Sequence, residues 1–251
     1  MLLKNKNKTI KYPKGPMPTL PAKFAGLPSI NQKFCKNCSA PCIKACPTGA
    51  IAKNGNDLLS LDMGRCLFCR DCAQICPNGA ITFTKSPQLA AHKREDLILS
   101  EIKPLPPVAI SPIAKTRYGK ALKKSCSLRV ISCGGCGACE ADTNVLTTLA
   151  WDLSRFGIHY VASPRHADGL IIIGPQTENM RQALEITYAA IPEPKFVIAL
   201  GSCAISGGLY ADAPECKRPT KEIIPVDLYI PGCPPHPLTI LDALLRYLNI
   251  S

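Results

Sequence analysis

The sequence predicts an α/β protein built from two unlike parts, a small α+β domain followed by a doubly wound parallel-sheet domain. Two similar cysteine-rich runs lie within residues 35–80, and four prolines interrupt residues 103–112. From about residue 122, short apolar strand patterns alternate with helical ones. We therefore expect an extended, basic, proline-rich arm at residues 1–30, a cysteine-rich domain at 31–101, a proline-rich linker at 102–121 and the α/β domain at 122–251.

The arm contains five prolines and no hydrophobic period, which predicts an extended segment that becomes ordered only against a partner. Residues 1–56 carry ten lysines and no acidic residue, and the whole chain has a formal net charge of +12. This charge favours docking on an acidic protein or an anionic membrane surface. The lysines lack interleaved aromatic residues and a base-reading motif, so we expect no nucleic-acid partner.

The cysteine-rich domain contains a near-duplicated motif. Its runs read C-x2-C-x3-C-x3-C-P and C-x2-C-x2-C-x3-C-P, and the second is the spacing of bacterial two-cluster ferredoxins. In those proteins the fourth cysteine of each run ligates the other cluster. The runs therefore predict a ferredoxin-like domain with two [4Fe–4S] clusters, one held by Cys35, Cys38, Cys42 and Cys76, the other by Cys66, Cys69, Cys72 and Cys46. The extra residue between Cys38 and Cys42 is expected to distort one cluster or change its potential.

Zinc is an alternative metal that the C-x-x-C pairs could bind, but both runs end in Cys-Pro, which favours iron–sulfur clusters. Iron–sulfur clusters need a reducing compartment, and the N-terminal residues lack the apolar region of a secretory signal. We therefore expect a cytoplasmic location. The longest apolar runs are too short to cross a bilayer, so membrane attachment would come through partners.

The remaining elements can be assigned in order. Residues 58–61 and 80–84 predict strands, and residues 87–101 predict a short helix. In the second domain, Asp142 caps a helix whose apolar period runs to Gly157, another helix covers 176–190, and Pro237 opens the last one. Predicted strands lie at 128–132, 159–162, 170–173, 196–200 and 226–230. This alternation predicts a flavodoxin-like sheet.

Three of these strands end in a loop that contains glycine and cysteine. Ligands of open parallel sheets bind at the carboxyl ends of strands, and glycines there let backbone N–H groups approach a cluster. We expect a third [4Fe–4S] cluster held by Cys136, Cys139, Cys203 and Cys233. Cys139 lies nearest the helix opened by Asp142, whose positive end favours a thiolate, while Cys133 is the rival ligand in the first loop. Cys126, Cys133 and Cys216 are left as buried or idle thiols.

These motifs carry a family resemblance. Residues 132–140, 163–168, 201–203 and 225–235 resemble the small, cluster-bearing subunit of group 4 membrane-associated [NiFe]-hydrogenases such as formate hydrogenlyase, which is homologous to the B subunit of complex I. The C-x2-C spacing of the first loop is the hydrogenase version, whereas complex I has adjacent cysteines there. Residues 62–69 and 94–97 resemble the ferredoxin-type subunit of the same complexes, which is normally a separate chain.

The resemblance implies an electron-transfer subunit of an oxidoreductase, without a bond-making active site of its own. It implies a large subunit that holds the Ni–Fe centre, further subunits of a membrane-bound complex, and a position on the cytoplasmic face of the membrane. The donor would be a ferredoxin or a formate or carbon monoxide dehydrogenase. A nickel-free, complex-I-like quinone oxidoreductase and a free-standing iron–sulfur carrier are the alternatives.

His236 and the two residues after it depart from the complex I pattern. Complex I relatives have Arg-Pro-Glu at this point, whereas this chain has His-Pro-Leu, which weakens the expectation of a quinone site. We expect His236 to be a capping or solvent-facing residue rather than one that tunes a cluster.

Overall fold

The computed structural model describes residues 9–35, 38–53, 58–99, 105–216 and 219–250. The expected boundary between the cysteine-rich domain and the linker, at residues 101–102, lies outside these ranges. None of the helices within them combines the length and apolarity that crossing a bilayer requires.

The cysteine-rich domain is built from short helices and two small antiparallel sheets. Strand β1 pairs with β4 in one sheet, and the other has the order β2-β3-β5. Leu59, Leu61, Met63 and Leu97 form its fully buried centre. The strands predicted at 58–61 and 80–84 are confirmed as β3 and β4. The elements are β1 (Pro28–Ile30), α1 (Pro41–Ala45), β2 (Ile51–Lys53), β3 (Leu59–Asp62), α2 (Asp71–Gln74), β4 (Ile81–Phe83) and β5 (Ile98–Leu99).

The helix predicted for residues 87–101 is wrong. In this region Arg94–Leu97 forms only a single 3-10 turn, which leads into β5. The Arg94 guanidinium makes a two-pronged ion pair with Asp62, at 2.7 and 2.5 Å, and the Met63 N–H donates to the Leu97 carbonyl at 2.9 Å. These long-range bonds, together with pairing of β5 to β3, override the local helical preference.

The second domain contains five parallel strands in the spatial order β10-β9-β8-β6-β7. Numbered within the domain and read from the β7 edge, this is 2-1-3-4-5, the flavodoxin-like order, so the predicted fold is confirmed. Strands β8 and β9 are buried throughout. The strands are β6 (Cys126–Ser132), β7 (Ile158–Tyr160), β8 (Gly169–Ile173), β9 (Phe196–Leu200) and β10 (Leu228–Ile230). The helices are α3 (Arg117–Leu122), α4 (Ala138–Val145), α5 (Glu178–Ala190), α6 (Ser202–Ser206), α7 (Thr220–Ile223) and α8 (Pro237–Leu248).

Both faces of this sheet are covered, but by different partners. One face packs against the apolar side of α8. The other packs against Leu184 of α5 over part of its area, while Ala199 and Tyr229 on the same face belong to the apolar cluster of the cysteine-rich domain. Ala91 and Tyr229 also exchange two backbone hydrogen bonds, at 3.0 and 2.8 Å. The first domain therefore docks on the sheet beside α5, along strand β10.

The helix expected between Asp142 and Gly157 is shorter and starts earlier. Helix α4 begins after Gly137, which has φ +85°, so Asp142 lies inside the helix and does not cap it. The chain then turns, and the Leu153 N–H donates to the Leu146 carbonyl at 2.9 Å. Both leucines are buried, which explains why their spacing looked like one continuous helix. Helix α4 ends at Val145, so the predicted end at Gly157 is wrong for this helix; Gly157 instead follows a separate 3-10 turn at Leu153–Phe156. The predicted start of the last helix at Pro237 is confirmed.

The described part of the arm packs on the chain itself, so the expectation that it needs a partner to become ordered is wrong for residues 9–30. The Ile10 N–H donates to the Ala150 carbonyl at 2.9 Å, and the Arg155 guanidinium donates to the Tyr12 carbonyl at 2.9 Å. The Tyr12 hydroxyl bonds to Asp242 on α8. Residues 1–8 lie outside the described ranges.

Candidate metal-cluster sites

Two small cavities lie in the cysteine-rich domain. Each is lined by three cysteines of one run and the fourth cysteine of the other run. This is the exchange that the ferredoxin spacing predicts, although the ligand assignment itself stays a prediction. The outer site comprises Cys35, Cys38, Cys42 and Cys76. The middle site comprises Cys46, Cys66, Cys69 and Cys72.

The two runs build these cavities with the same backbone turns. Ala40 and Arg70, with φ +51° and +71°, each precede a short helix whose second residue is the third cysteine of its run. The exposed Ser39 takes up the extra residue of the first run before that turn. After each fourth cysteine the chain turns again, at Gly49 with φ +59° and at Gly79 with φ +60°.

Among the described residues, backbone N–H groups donate hydrogen bonds to four of the eight sulfur atoms. The Ala50 N–H donates to Cys46 Sγ and the Ala80 N–H to Cys76 Sγ, each at 3.2 Å. Such bonds stabilise negative charge on sulfur and shift the potential of a bound cluster. The other two donors are Ala40, to Cys38 Sγ at 3.4 Å, and Phe68, to Cys66 Sγ at 3.3 Å.

The thiols of these sites are crowded, and all of them except the exposed Cys69 are partly or fully shielded from water. Burial raises the pKa of Cys66 to about 12, although the Phe68 N–H opposes the shift. Burial also raises the pKa of Cys72 to about 12, and the nearby thiols of Cys69, Cys46 and Cys42 raise it further. Four thiolates in one cavity therefore require positive charge between them, which the iron atoms of a cluster would supply. The donor set fits such a cluster.

A third group of cysteines, the sheet-edge site, lies where β6, β9 and β10 end. Its members are Cys136, Cys139, Cys203 and Cys233, of which Cys136 and Cys233 are exposed. Burial raises the pKa of Cys203 to about 11, and the thiols of Cys233 and Cys136 raise it further. The pKa of Cys139 is raised by burial and then by Cys203, Cys233 and Cys136, so the four thiols share one neighbourhood.

Close approach at this site depends on Gly201, which has φ +89° at the end of β9. A Cβ atom there would lie 2.8 Å from Cys139 Sγ, well inside van der Waals contact. Cys139 is the second residue of α4, so it lies at the positive end of that helix, as expected, although the helix opens after Gly137 rather than at Asp142.

Cys133, the rival ligand, lies apart from this group. It is fully buried in the apolar cluster that contains Ile131, Leu170 and Ile172. Burial raises its pKa to about 12, and Glu140 is the charged neighbour that adds to the shift. Cys126 is also fully buried in the core, whereas Cys216 lies close enough to raise the pKa of Cys203.

His236 caps helix α8. Its Nδ1 accepts the Leu238 N–H at 3.1 Å, and its ring packs edge-on against Phe24 and Trp151, with ring centres 5.2 and 5.8 Å apart. Burial lowers the pKa of His236, which favours the neutral ring. The expectation of a capping histidine is confirmed.

The three sites follow one another in a row. Burial, Cys69 and Cys46 are the main causes that raise the pKa of Cys72 in the middle site, and Cys42 of the outer site raises it further. Burial and Cys136 are the main causes that raise the pKa of Cys233 at the sheet edge, and Cys69 of the middle site raises it further. The middle site therefore has a neighbour on each side.

The spread of the sulfur atoms bears on the choice of metal. In the described part of the chain, no three His, Cys, Asp or Glu side chains converge so that they could hold a single metal ion. A zinc site needs such convergence, whereas in a [4Fe–4S] cluster each iron takes one thiolate and the sulfurs surround the cluster. The arrangement is compatible with the clusters that the cysteine spacing predicts.

Comparison with known families separates the same two regions. Residues 133–247 match the family described as NADH ubiquinone oxidoreductase, 20 Kd subunit, and residues 34–81 match a 4Fe-4S dicluster domain. A solved chain from the membrane-bound sulfane sulfur reductase, an archaeal respiratory membrane complex, shares 39% identity. That match covers 53% of this chain and 73% of the solved one, with a TM-score of 0.48.

Three relatives are subunits of oxidoreductases. The probable membrane-bound hydrogenase subunit mbhJ of Pyrococcus furiosus is 38% identical over 119 residues, which are 47% of this chain and 71% of the relative. Formate hydrogenlyase subunit 7 of Escherichia coli is 39% identical over 59% of this chain, and NAD(P)H-quinone oxidoreductase subunit K of Prochlorococcus marinus is 44% identical over 45%. The chain spans only 58% and 47% of these last two proteins. The chain thus belongs to the NADH ubiquinone oxidoreductase 20 Kd subunit family and carries a 4Fe-4S dicluster domain ahead of the family region.

Proposed function

We propose that this chain is the electron-transfer subunit of a membrane-associated hydrogenase complex, with three [4Fe–4S] clusters held by the outer, middle and sheet-edge sites. The observation that carries the proposal is the grouping of twelve cysteines into three neighbouring sets of four. When bound, each cluster would supply a carrier for one electron at a time. The chain's own contribution is to hold these carriers in a row and to shield the outer and middle sites from water in part.

The exposed side of the sheet-edge site supports a partner there. Cys136 and Cys233 are exposed, and Leu209 and Tyr210 nearby are 59% and 41% exposed. These two apolar side chains follow Gly208, where an added Cβ would lie 2.9 Å from Cys203 Sγ. Exposed apolar residues beside a redox site are typical of a surface that another protein covers. The proposed occupant is a hydrogenase-type large subunit that carries the Ni–Fe centre.

The opposite end of the row supports docking of the electron donor. Around the outer site, Lys33, Phe34 and Lys44 are exposed, and the Lys53 ammonium donates to the Cys38 carbonyl at 3.4 Å. A positive rim around an exposed aromatic ring suits a small acidic one-electron carrier. The donor would be a ferredoxin, or a formate or carbon monoxide dehydrogenase that delivers electrons through such a carrier. Attachment to the cytoplasmic face of the membrane would come through the other subunits.

The test is anaerobic purification of the complex from native cells. We expect about twelve iron atoms in this subunit, a co-purifying large subunit with its nickel-ligand C-x-x-C pairs, and hydrogen evolution with a reduced donor. A large subunit without those pairs would favour the nickel-free, complex-I-like alternative. A monomer that migrates at the mass of this chain alone, or markedly fewer irons, would contradict the proposal.

A further inference from the structure

Helix α6 connects the sheet-edge site to the cysteine-rich domain. Both of its serines reach across the domain interface to carbonyl groups of the loop at residues 62–66. The Ser202 hydroxyl donates to the Cys66 carbonyl at 2.7 Å, and Ser206 Oγ lies 2.9 Å from the Gly64 carbonyl. The two serines therefore make similar contacts with one loop, which makes them a matched pair.

Only Ser202 contacts residues of two sites at once. It directly precedes Cys203, and its hydroxyl bonds to the carbonyl of Cys66 in the middle site. Its own N–H donates to the Gly232 carbonyl at 2.9 Å, in the peptide unit that precedes Cys233. The side chain is 1% exposed, so no water can replace the hydroxyl without rearrangement.

The loop that Ser202 contacts, at residues 62–66, is also fixed by an ion pair and by packing against α6. The Gly64 N–H donates to Asp62 Oδ1 at 2.8 Å, and the same carboxylate pairs with Arg94. A Cβ atom at Gly64 would lie 2.8 Å from Ile205 Cγ2 of α6, so the helix and the loop touch without a gap. The hydrogen bond from Ser202 to the Cys66 carbonyl adds to this contact between α6 and the loop.

We infer that Ser202 is a positioning residue that fixes the middle and sheet-edge sites relative to each other and joins them through bonds. Covalent bonds and one hydrogen bond lead from Cys66 Sγ, through the Cys66 carbonyl and the Ser202 hydroxyl, to Cys203 Sγ. Electronic coupling between redox centres falls steeply with their separation and is greater through bonds than through a gap. The inference rests on the proposed function, because it requires clusters in both sites.

The experiment compares Ser202→Ala with Ser206→Ala in the complete complex. Both substitutions remove a hydroxyl from α6 that bonds across the interface, but only the first alters a bond to a cluster-site residue. For Ser202→Ala we expect unchanged iron content, weaker magnetic interaction between the two reduced neighbouring clusters, and measurably slower electron transfer between them, because the hydrogen bond that joins the two sites is lost. Ser206→Ala should match the wild type in all three measurements.

Ser202→Thr serves as the second variant because it keeps the hydroxyl. If Ser202→Ala does not fold, a threonine variant with wild-type coupling supports the inference, and one with full iron but weakened coupling overturns it. Equal behaviour of Ser202→Ala and Ser206→Ala, with full iron in the wild type, overturns this inference alone. A wild-type complex with markedly fewer than about twelve irons overturns the proposed function, and this inference with it.

Discussion

The cysteine-rich domain and the sheet edge gather cysteines in opposite ways. In the outer and middle sites, each set comes from two short runs, and the same positive-φ turns shape both cavities. At the sheet edge, the loops after β6, β9 and β10 contribute, so Cys136 and Cys233 meet only when the parallel sheet has formed. The comparison teaches that two nearby runs with the same turns can build two partly shielded cavities by exchanging one cysteine each, whereas distant strands build a site of which two cysteines are exposed.

Removing a cysteine tests this difference most strongly. Cys203→Ala should remove the sheet-edge cluster and lower the iron content from about twelve atoms to about eight, because the other two sites have their own turns. Cys133→Ala is the control, since Cys133 is buried among apolar residues away from the group. Iron analysis and spectra of the reduced protein would check both variants. Loss of iron in the Cys133 variant would show that the rival cysteine is a ligand.

Substitution of one glycine in each region is expected to give the next largest difference in iron content. Gly201→Ala brings a Cβ to 2.8 Å from Cys139 Sγ, so we expect the sheet-edge cluster to be lost or to become labile. Gly49→Ala, also at positive φ but with no atom within 4 Å of the added Cβ, should cost only about 1–2 kcal/mol of unfolding free energy and keep its iron. Iron content and thermal unfolding distinguish the two. Equal iron loss in both variants would show that backbone strain alone explains the effect.

The pH dependence of the cluster-free protein sharpens the comparison further. Burial raises the pKa of Cys66 and Cys72 to about 12 and that of Cys203 to about 11, above the usual thiol value near 9. The unfolded chain therefore loses these protons first, so the stability present below about pH 9 should fall as the pH rises from 9 towards 12. Thermal unfolding of the apo protein between pH 7.5 and 10.5 would show this fall. The loaded protein should change less, because its thiolates are already bound.

The smallest expected effect concerns charge around the outer site. Lys33→Glu combined with Lys44→Glu should slow electron delivery by a small acidic carrier several-fold at low salt, and the difference should shrink as ionic strength rises. Lys120→Glu changes an exposed lysine of α3 in the other domain and should have little effect. The rates would be measured by rapid mixing with the reduced carrier. A salt-independent difference would argue against docking at the outer site.

Sequence reasoning succeeded where local chemistry determines structure. Cysteine spacing predicted two groups whose members meet in the structure, because the turns at Ala40 and Arg70 are local. The flavodoxin-like sheet was predictable because alternating strands and helices permit few arrangements. The family resemblance agreed with both regions.

Features that depend on tertiary contacts could not be predicted from the sequence. The ion pair between Arg94 and Asp62 replaced a predicted helix, and nothing in the arm signalled that residues 28–30 would pair with β4. Gly137 was the available signal for the true start of α4, since glycine adopts positive φ readily. The contact between Ser202 and Cys66 spans 136 positions, and no periodicity reports it.

The two backbone hydrogen bonds between Ala91 and Tyr229 have a consequence for expressing either half alone. They lie on β10, one of the two edge strands of the five-stranded sheet, and an edge strand left unpaired is a template for aggregation. A fragment that contains only the α/β domain would expose the edge of β10 together with Ala199 and the ring of Tyr229. Such a truncated product should precipitate or self-associate through strand addition, whereas in the intact chain Ala91 pairs with this edge.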